Sequence, residues 1–172
     1  MIHVSSRPLP EQALLHRHAG LAGVQSDAHC VCVPGPVSIA AFVTAFFTSR
    51  AFAPEALILR LTLRRATGPV AVTALAEARS SRYAAWHVEE RDDTQLLMAV
   101  GTGPIRSWWM VCPLPSGKTE LWFGSAILPV ESGARVSVGF RLLNRFHLTY
   151  ARFLLRGAAK ALRAPAATVK AR

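Results

Sequence analysis

Acidic side chains are scarce in this 172-residue chain, with ten Asp and Glu against twenty Lys and Arg, a formal net charge of +10. That imbalance points to an anionic partner (nucleic acid, an anionic membrane surface or an acidic ligand) or to a solvated arginine-rich surface. Cysteine is nearly missing. Cys30, Cys32 and Cys112 are an odd set, and the first two are too close in an extended strand to bridge. A disulfide framework is therefore excluded, and a reduced, cytoplasmic setting is expected. No second ligand pair with finger-like spacing accompanies Cys30 and Cys32, so no metal is expected. Long apolar runs are also missing. The longest, Val37 to Phe47, ends at Ser49-Arg50 and is too short to cross a bilayer. The first twenty residues show no apolar core after a charged start, so they are not read as a secretory signal.

Motifs for phosphate and acyl chemistry are lacking too. There is no Gly-x-Ser-x-Gly elbow, no phosphate loop and no Gly-x-Gly-x-x-Gly. Gly101-Thr102-Gly103-Pro104 lacks the strand-to-helix setting of a dinucleotide site and reads as a turn. No cofactor and no catalytic residue are assigned. What the chain does have is bulk. Hydrophobic residues make up 51%, with four Trp and eight Phe, enough for a single good-sized core.

The most regular stretch runs from Phe140 to Arg163. At 100° per residue, Leu143, Phe146, Tyr150, Phe153, Leu154, Gly157 and Ala161 share one side. Arg141, Arg145, Arg152, Arg156, Lys160 and Arg163 share the other. No proline interrupts the stretch, and Pro165 ends it. Such a helix needs a sheet, another helix or a lipid surface against its apolar side.

The rest of the chain supplies a sheet. Residues 1–25 read as a loosely held extension. Ser26 to Pro34 reads as a strand, and Pro34-Gly35-Pro36 breaks it. Val37 to Thr48 reads as a helix. Pro54 opens a second helix that runs to about Arg65. Residues 68–80 read as a loop or a short strand. Four strand signals follow with hairpin spacing: Arg82 to Glu90, Gln95 to Gly101, Ile105 to Cys112 and Lys118 to Leu128. An antiparallel meander with one apolar face needs a cover, and the long helix can provide it. The fold class is thus α+β. The domain spans 26–163, with an extension before it and a basic tail over 164–172.

This order resembles the helix-grip fold of the START, polyketide-cyclase and birch-pollen-allergen superfamily. Within it, the chain resembles a bacterial domain-of-unknown-function family. The carrying segments are AHCVCV, SIAAFVTAFF, ALILRLTL and FHLTYARFLLRGAAKAL, in which Phe146-His147, Tyr150 and Arg152 stand where that family has them. The resemblance covers about residues 26–163. It implies a curved antiparallel sheet wrapped around the C-terminal helix, with a cavity between them, and it implies no catalytic residue.

On that basis Trp86, Met98, Trp108, Met110, Trp122, Phe146, His147, Tyr150 and Phe153 are expected to line a cavity for a small hydrophobic molecule or lipid. In the first hairpin strand Arg82, Ala84, Trp86 and Val88 form the more apolar, inward set. For Ile105 to Cys112 the period does not choose between the face of Trp108 and that of Trp109. His147 is either a packed histidine or a polar anchor, and in a cyclase or dehydratase it or Tyr150 would be the polar group. Glu89, Glu90, Asp92 and Asp93 read as a solvated hairpin tip. The stripe Arg141, Arg145, Arg152, Arg156 and Lys160 suits anionic lipid head groups at about 1 kcal/mol each. Without interleaved exposed aromatics, nucleic acid is not the expected partner.

Overall fold

The structure, a computed structural model, describes residues 2–54, 56, 57, 67–129 and 138–163, with side chains in the last stretch from Tyr150 onward. Seven strands form one curved antiparallel sheet: β1 (Ser5–Ser6), β2 (Gln25–Pro34), β3 (Arg82–Tyr83), β4 (Trp86–Arg91), β5 (Gln95–Val100), β6 (Ile105–Pro113) and β7 (Lys118–Ile127). Their spatial order is β1-β2-β7-β6-β5-β4-β3. The meander from β3 to β7 therefore returns to lie against β2. Four helices are seen among the described residues: α1 (His16–Ala19), α2 (Ile39–Thr48), α3 (Pro69–Ala76) and α4 (Val138–Arg163).

The expected strands are present, with one split. A tight turn at Ala84-Ala85 separates β3 from β4, pairing Tyr83 with Trp86. The second expected helix begins where Pro54 places it, with Ala56 N–H donating to the Phe52 carbonyl at 2.9 Å. Its continuation over 58–66 lies outside the described residues. Residues 69–76 are helical instead of loop or strand. Their β-branched residues suggest a strand, but Pro69 sits at the first helical turn after an extended Gly68. Val72 and Leu75, three apart, then bury one face of that helix.

Both faces of the sheet are apolar, and each has its own cover. On the concave face Leu96, Met98, Trp109, Val111, Leu121 and Phe123 pack against the helices. α2 is capped by Ser38, whose side chain accepts from Ala41 N–H at 3.1 Å. The helix drives Phe46 between Trp109 and Phe123, at ring separations of 5.4 and 4.8 Å. Phe47, Phe52, Tyr83 and Trp86 continue that aromatic cluster. This half of the concavity is filled by the chain's own rings.

The convex face carries Trp108, Met110, Trp122 and Leu97, covered by residues 9–15. The N-terminal stretch, read as a loose extension, packs here with Leu15 fully buried and Ala13 nearly so. Gln95 staples it down. Its Oε1 accepts from Leu14 N–H at 2.9 Å and from Trp108 Nε1 at 2.9 Å, while its Nε2 donates to the Gln12 carbonyl at 3.0 Å. Glu89 adds a second tie, accepting from Arg106 Nε at 3.0 Å and lying 3.1 Å from His18 Nε2. Arg17 lies 2.8 Å from the Glu90 carboxylate, though off the hydrogen-bond line. Glu89 and Glu90, two of the four acids expected at a solvated tip, thus hold the N-terminal stretch, while Asp92 and Asp93 are exposed at the turn.

α4 runs back along β2. Arg163 donates to the Cys32 carbonyl at 3.1 Å, and Arg152 to Ser6, which pairs with His29. Gly157 lets the helix approach the end of α2. A Cβ there would stand 2.5 Å from the Ala51 Cβ, which has no freedom to move aside.

Two predictions follow from this packing. Gly157→Ala gains about 1 kcal/mol of helix propensity but must push α4 off Ala51, at about 1–3 kcal/mol. The clash wins, and urea denaturation should show net destabilisation. Gln95→Ala orphans the Trp108 indole and frees residues 12–14. Tryptic cleavage after Arg17 should then run faster than in wild type, while Trp109 stays protected from quencher.

Candidate functional site

The strand register puts an unusual row on the concave face. Asp27 pairs with Ser125, and Ser125 pairs across with Ser107, which pairs with Met98. In the next row, His29 stands beside Phe123. A core lined otherwise by Val, Leu, Phe and Trp thus holds Asp27, His29, Ser107 and Ser125 side by side. His29 is 2% exposed and Ser125 1%.

These groups form a chain of contacts that ties three elements together. Arg152, on α4, donates to Ser6 Oγ at 2.7 Å. Ser6 Oγ lies 2.8 Å from His29 Nδ1. On its other side the ring brings Nε2 to 2.9 Å from Asp27 Oδ2. Asp27 Oδ1 is bonded in turn to Ser125 Oγ.

The link between Asp27 and His29 is close but poorly directed. Neither Asp27 Oδ2 nor His29 Nε2 has an aligned hydrogen-bond partner among the described residues. The distance makes it an electrostatic contact, and the angle leaves both atoms short of a full bond. A buried polar pair of this kind costs stability unless something completes it.

A Ser–His–Asp sequence of contacts invites comparison with nucleophilic hydrolases. The geometry argues against that use. The imidazole is almost wholly buried, and the hydroxyl it faces is already an acceptor for Arg152. The arrangement suits binding and orienting a polar group.

The expected cavity residues divide between the two faces of the sheet. Trp86 lies on the concave face with Ala84 and Val88, as alternation implied. The turn at Ala84-Ala85, however, puts Tyr83 in the core and leaves Arg82, expected inward, exposed. Met98 lies on the same face, and Trp86 Nε1 donates to Ser107 Oγ at 3.3 Å. Tyr150 packs partly buried at the edge of the same core. Trp108, Met110 and Trp122 lie on the convex face under the N-terminal stretch. Phe153 is 54% exposed on the outer side of α4, stacked on Tyr150 with ring centroids 6.3 Å apart. Phe146 and His147, with Arg141 and Arg145 of the basic stripe, lie outside the described side chains. Arg152 braces Ser6, while Arg156 and Lys160 are exposed.

Asp27 and His29 were absent from the expected site. The signal was in the sequence, because Asp27, His29, Val31 and Val33 alternate onto one face of β2. The neighbouring cysteines take the other face. Cys30 is buried and Cys32 exposed. Burial, then the Glu120 carboxylate and Cys30, push the Cys32 thiol above its ordinary range, which favours the unreactive protonated form. Among the described residues no cluster of His, Cys, Asp and Glu could hold a metal ion.

Coupling across the pair is measurable. Asp27→Ala removes both the close contact to the buried ring and the bond to Ser125 Oγ, and should cost about 1–3 kcal/mol. Removing both members, in Asp27→Ala/His29→Leu, should cost less than the two single changes summed. Urea denaturation of the four proteins checks this, and strict additivity would mean that the contact carries no energy.

Comparison of the chain with family models, with curated proteins and with solved structures finds no match.

Proposed function

We propose that this is a helix-grip protein that binds a small, mainly apolar molecule bearing one polar group, between the concave face of the sheet and α4. The under-satisfied Asp27–His29 pair carries the reading. A ligand hydroxyl, which both donates and accepts, would give Asp27 Oδ2 a donor and His29 Nε2 a partner in a low-dielectric setting, where each bond is worth most. Trp86 and Met98 supply apolar wall along the same face, and the Ser107–Ser125 row supplies polar points that can fix orientation. The order of elements supports the same reading. One strand, then helices, then a meander that returns to the first strand and a long closing helix is the order of the superfamily that the sequence resembles.

The filled half of the concavity limits the ligand. Phe46, Phe47 and Phe52 occupy the space over Trp109 and Phe123. The molecule therefore lies toward the Asp27 end of β2, beneath turns of α4 that precede Arg152.

Native mass spectrometry of protein purified from the cells that express it tests the proposal. The expected spectrum shows a second species a few hundred daltons heavier, which disappears on acid denaturation. His29→Leu should abolish that species while leaving the fold intact by circular dichroism. Bare polypeptide mass in every preparation, together with no change in Trp fluorescence on titration with a naphthalene-sulfonate probe, would falsify the reading.

A further inference from the structure

A groove runs along the side of α4 away from the sheet. It lies between that helix and the end of α2, and encloses about 510 Å³. Ala51, Gly157, Ala161 and Phe153 form its apolar floor, and Arg50, Arg156 and Lys160 stand around it. Elsewhere several basic side chains find partners, though exposed Arg82 and Lys118 meet no carboxylate among the described residues. Arg7, Arg79 and Arg106 meet carboxylates, and Arg91 donates to the Leu75 carbonyl at 2.7 Å. Among the described residues no carboxylate pairs with Arg50, Arg156 or Lys160.

A lone exposed aromatic means little. Here Phe153, more than half exposed, shares a recess with three cations that have no counter-charge. Arg156 and Lys160 are one turn apart on α4, and Arg50 faces them from the end of α2. Three cations set around an exposed aromatic match anionic head groups with an apolar layer beneath.

We propose that this groove docks the protein on an anionic phospholipid surface, with Phe153 entering the interface and Arg50, Arg156 and Lys160 meeting lipid phosphates. The attraction is electrostatic at the rim and hydrophobic at the floor. The inference stands apart from the binding site on the sheet, because the two lie on opposite sides of α4.

Sedimentation with vesicles of phosphatidylcholine alone, and with three parts in ten phosphatidylglycerol, tests it at low and at physiological salt. Wild type should pellet only with the anionic vesicles, and less at the higher salt. The triple change Arg50→Gln/Arg156→Gln/Lys160→Gln should weaken partition about a hundredfold, at roughly fivefold per charge. Phe153→Ser should weaken it about tenfold. A control that removes equal charge elsewhere, Arg79→Gln/Arg82→Gln/Lys118→Gln, should fall far less. Equal losses in the two triple variants would show that net charge alone drives binding and would overturn the docking site. A duplex DNA that binds wild type as tightly as the vesicles do, and is lost in the same groove variant, would overturn the membrane as the partner.

Discussion

A sheet that is apolar on both faces needs two covers, and this requirement organises the molecule. Alternate residues of β6 and β7 place Trp109, Phe123 and Leu121 inside, and Trp108, Met110 and Trp122 outside. Left bare, either set would expose a patch large enough to drive association. The helices cover the inside with rings from α2 and small residues from α4, where Ala151, Ala158 and Ala159 are buried. The N-terminal stretch covers the outside with Leu15 and the carbonyls and amides that Gln95 grips. Burying Gln95 is tolerated because both ends of its amide are satisfied.

The order of elements could be read from the sequence because strands and helices differ in period. Turn residues such as Pro34-Gly35-Pro36 and Gly117 marked the breaks. The closing helix was legible for the same reason. The cover of the outer face was not. Residues 9–15 carry no helical or strand period, and their contribution is a few single apolar side chains dropped onto a large surface. A periodicity argument cannot register such a contact. The face of Ile105 to Cys112 was undecidable by the same logic, because a strand covered on both sides alternates apolar with apolar. Knowing that residues 9–15 are a cover resolves the ambiguity.

The site was half legible. Trp86 follows from alternation, but the Asp27–His29 pair does not stand out, because the cysteines dominate the pattern of that strand. The physical signal was the reverse of the usual one. Polar residues in phase with Val31 and Val33 must be buried if those valines are, and burial of an Asp beside a His demands partners. Ser6 and Ser125 are two of them, and they come from positions far apart in the chain. The under-directed contact between Asp27 Oδ2 and His29 Nε2 is the remainder that packing leaves uncompensated.

α4 bears on three surroundings at once. Its small residues and leucines face the core, Arg152 and Arg163 reach back to Ser6 and to the Cys32 carbonyl, and Phe153, Arg156 and Lys160 face outward. Gly157 is where these demands meet, because its missing side chain both seats the helix on Ala51 and leaves the floor of the outer groove. Arg152 links the helix to the buried polar row through Ser6. Any molecule that reordered the Asp27–His29 contact would therefore act on the same helix that presents the basic groove. The proposed inner and outer sites thus share one helix.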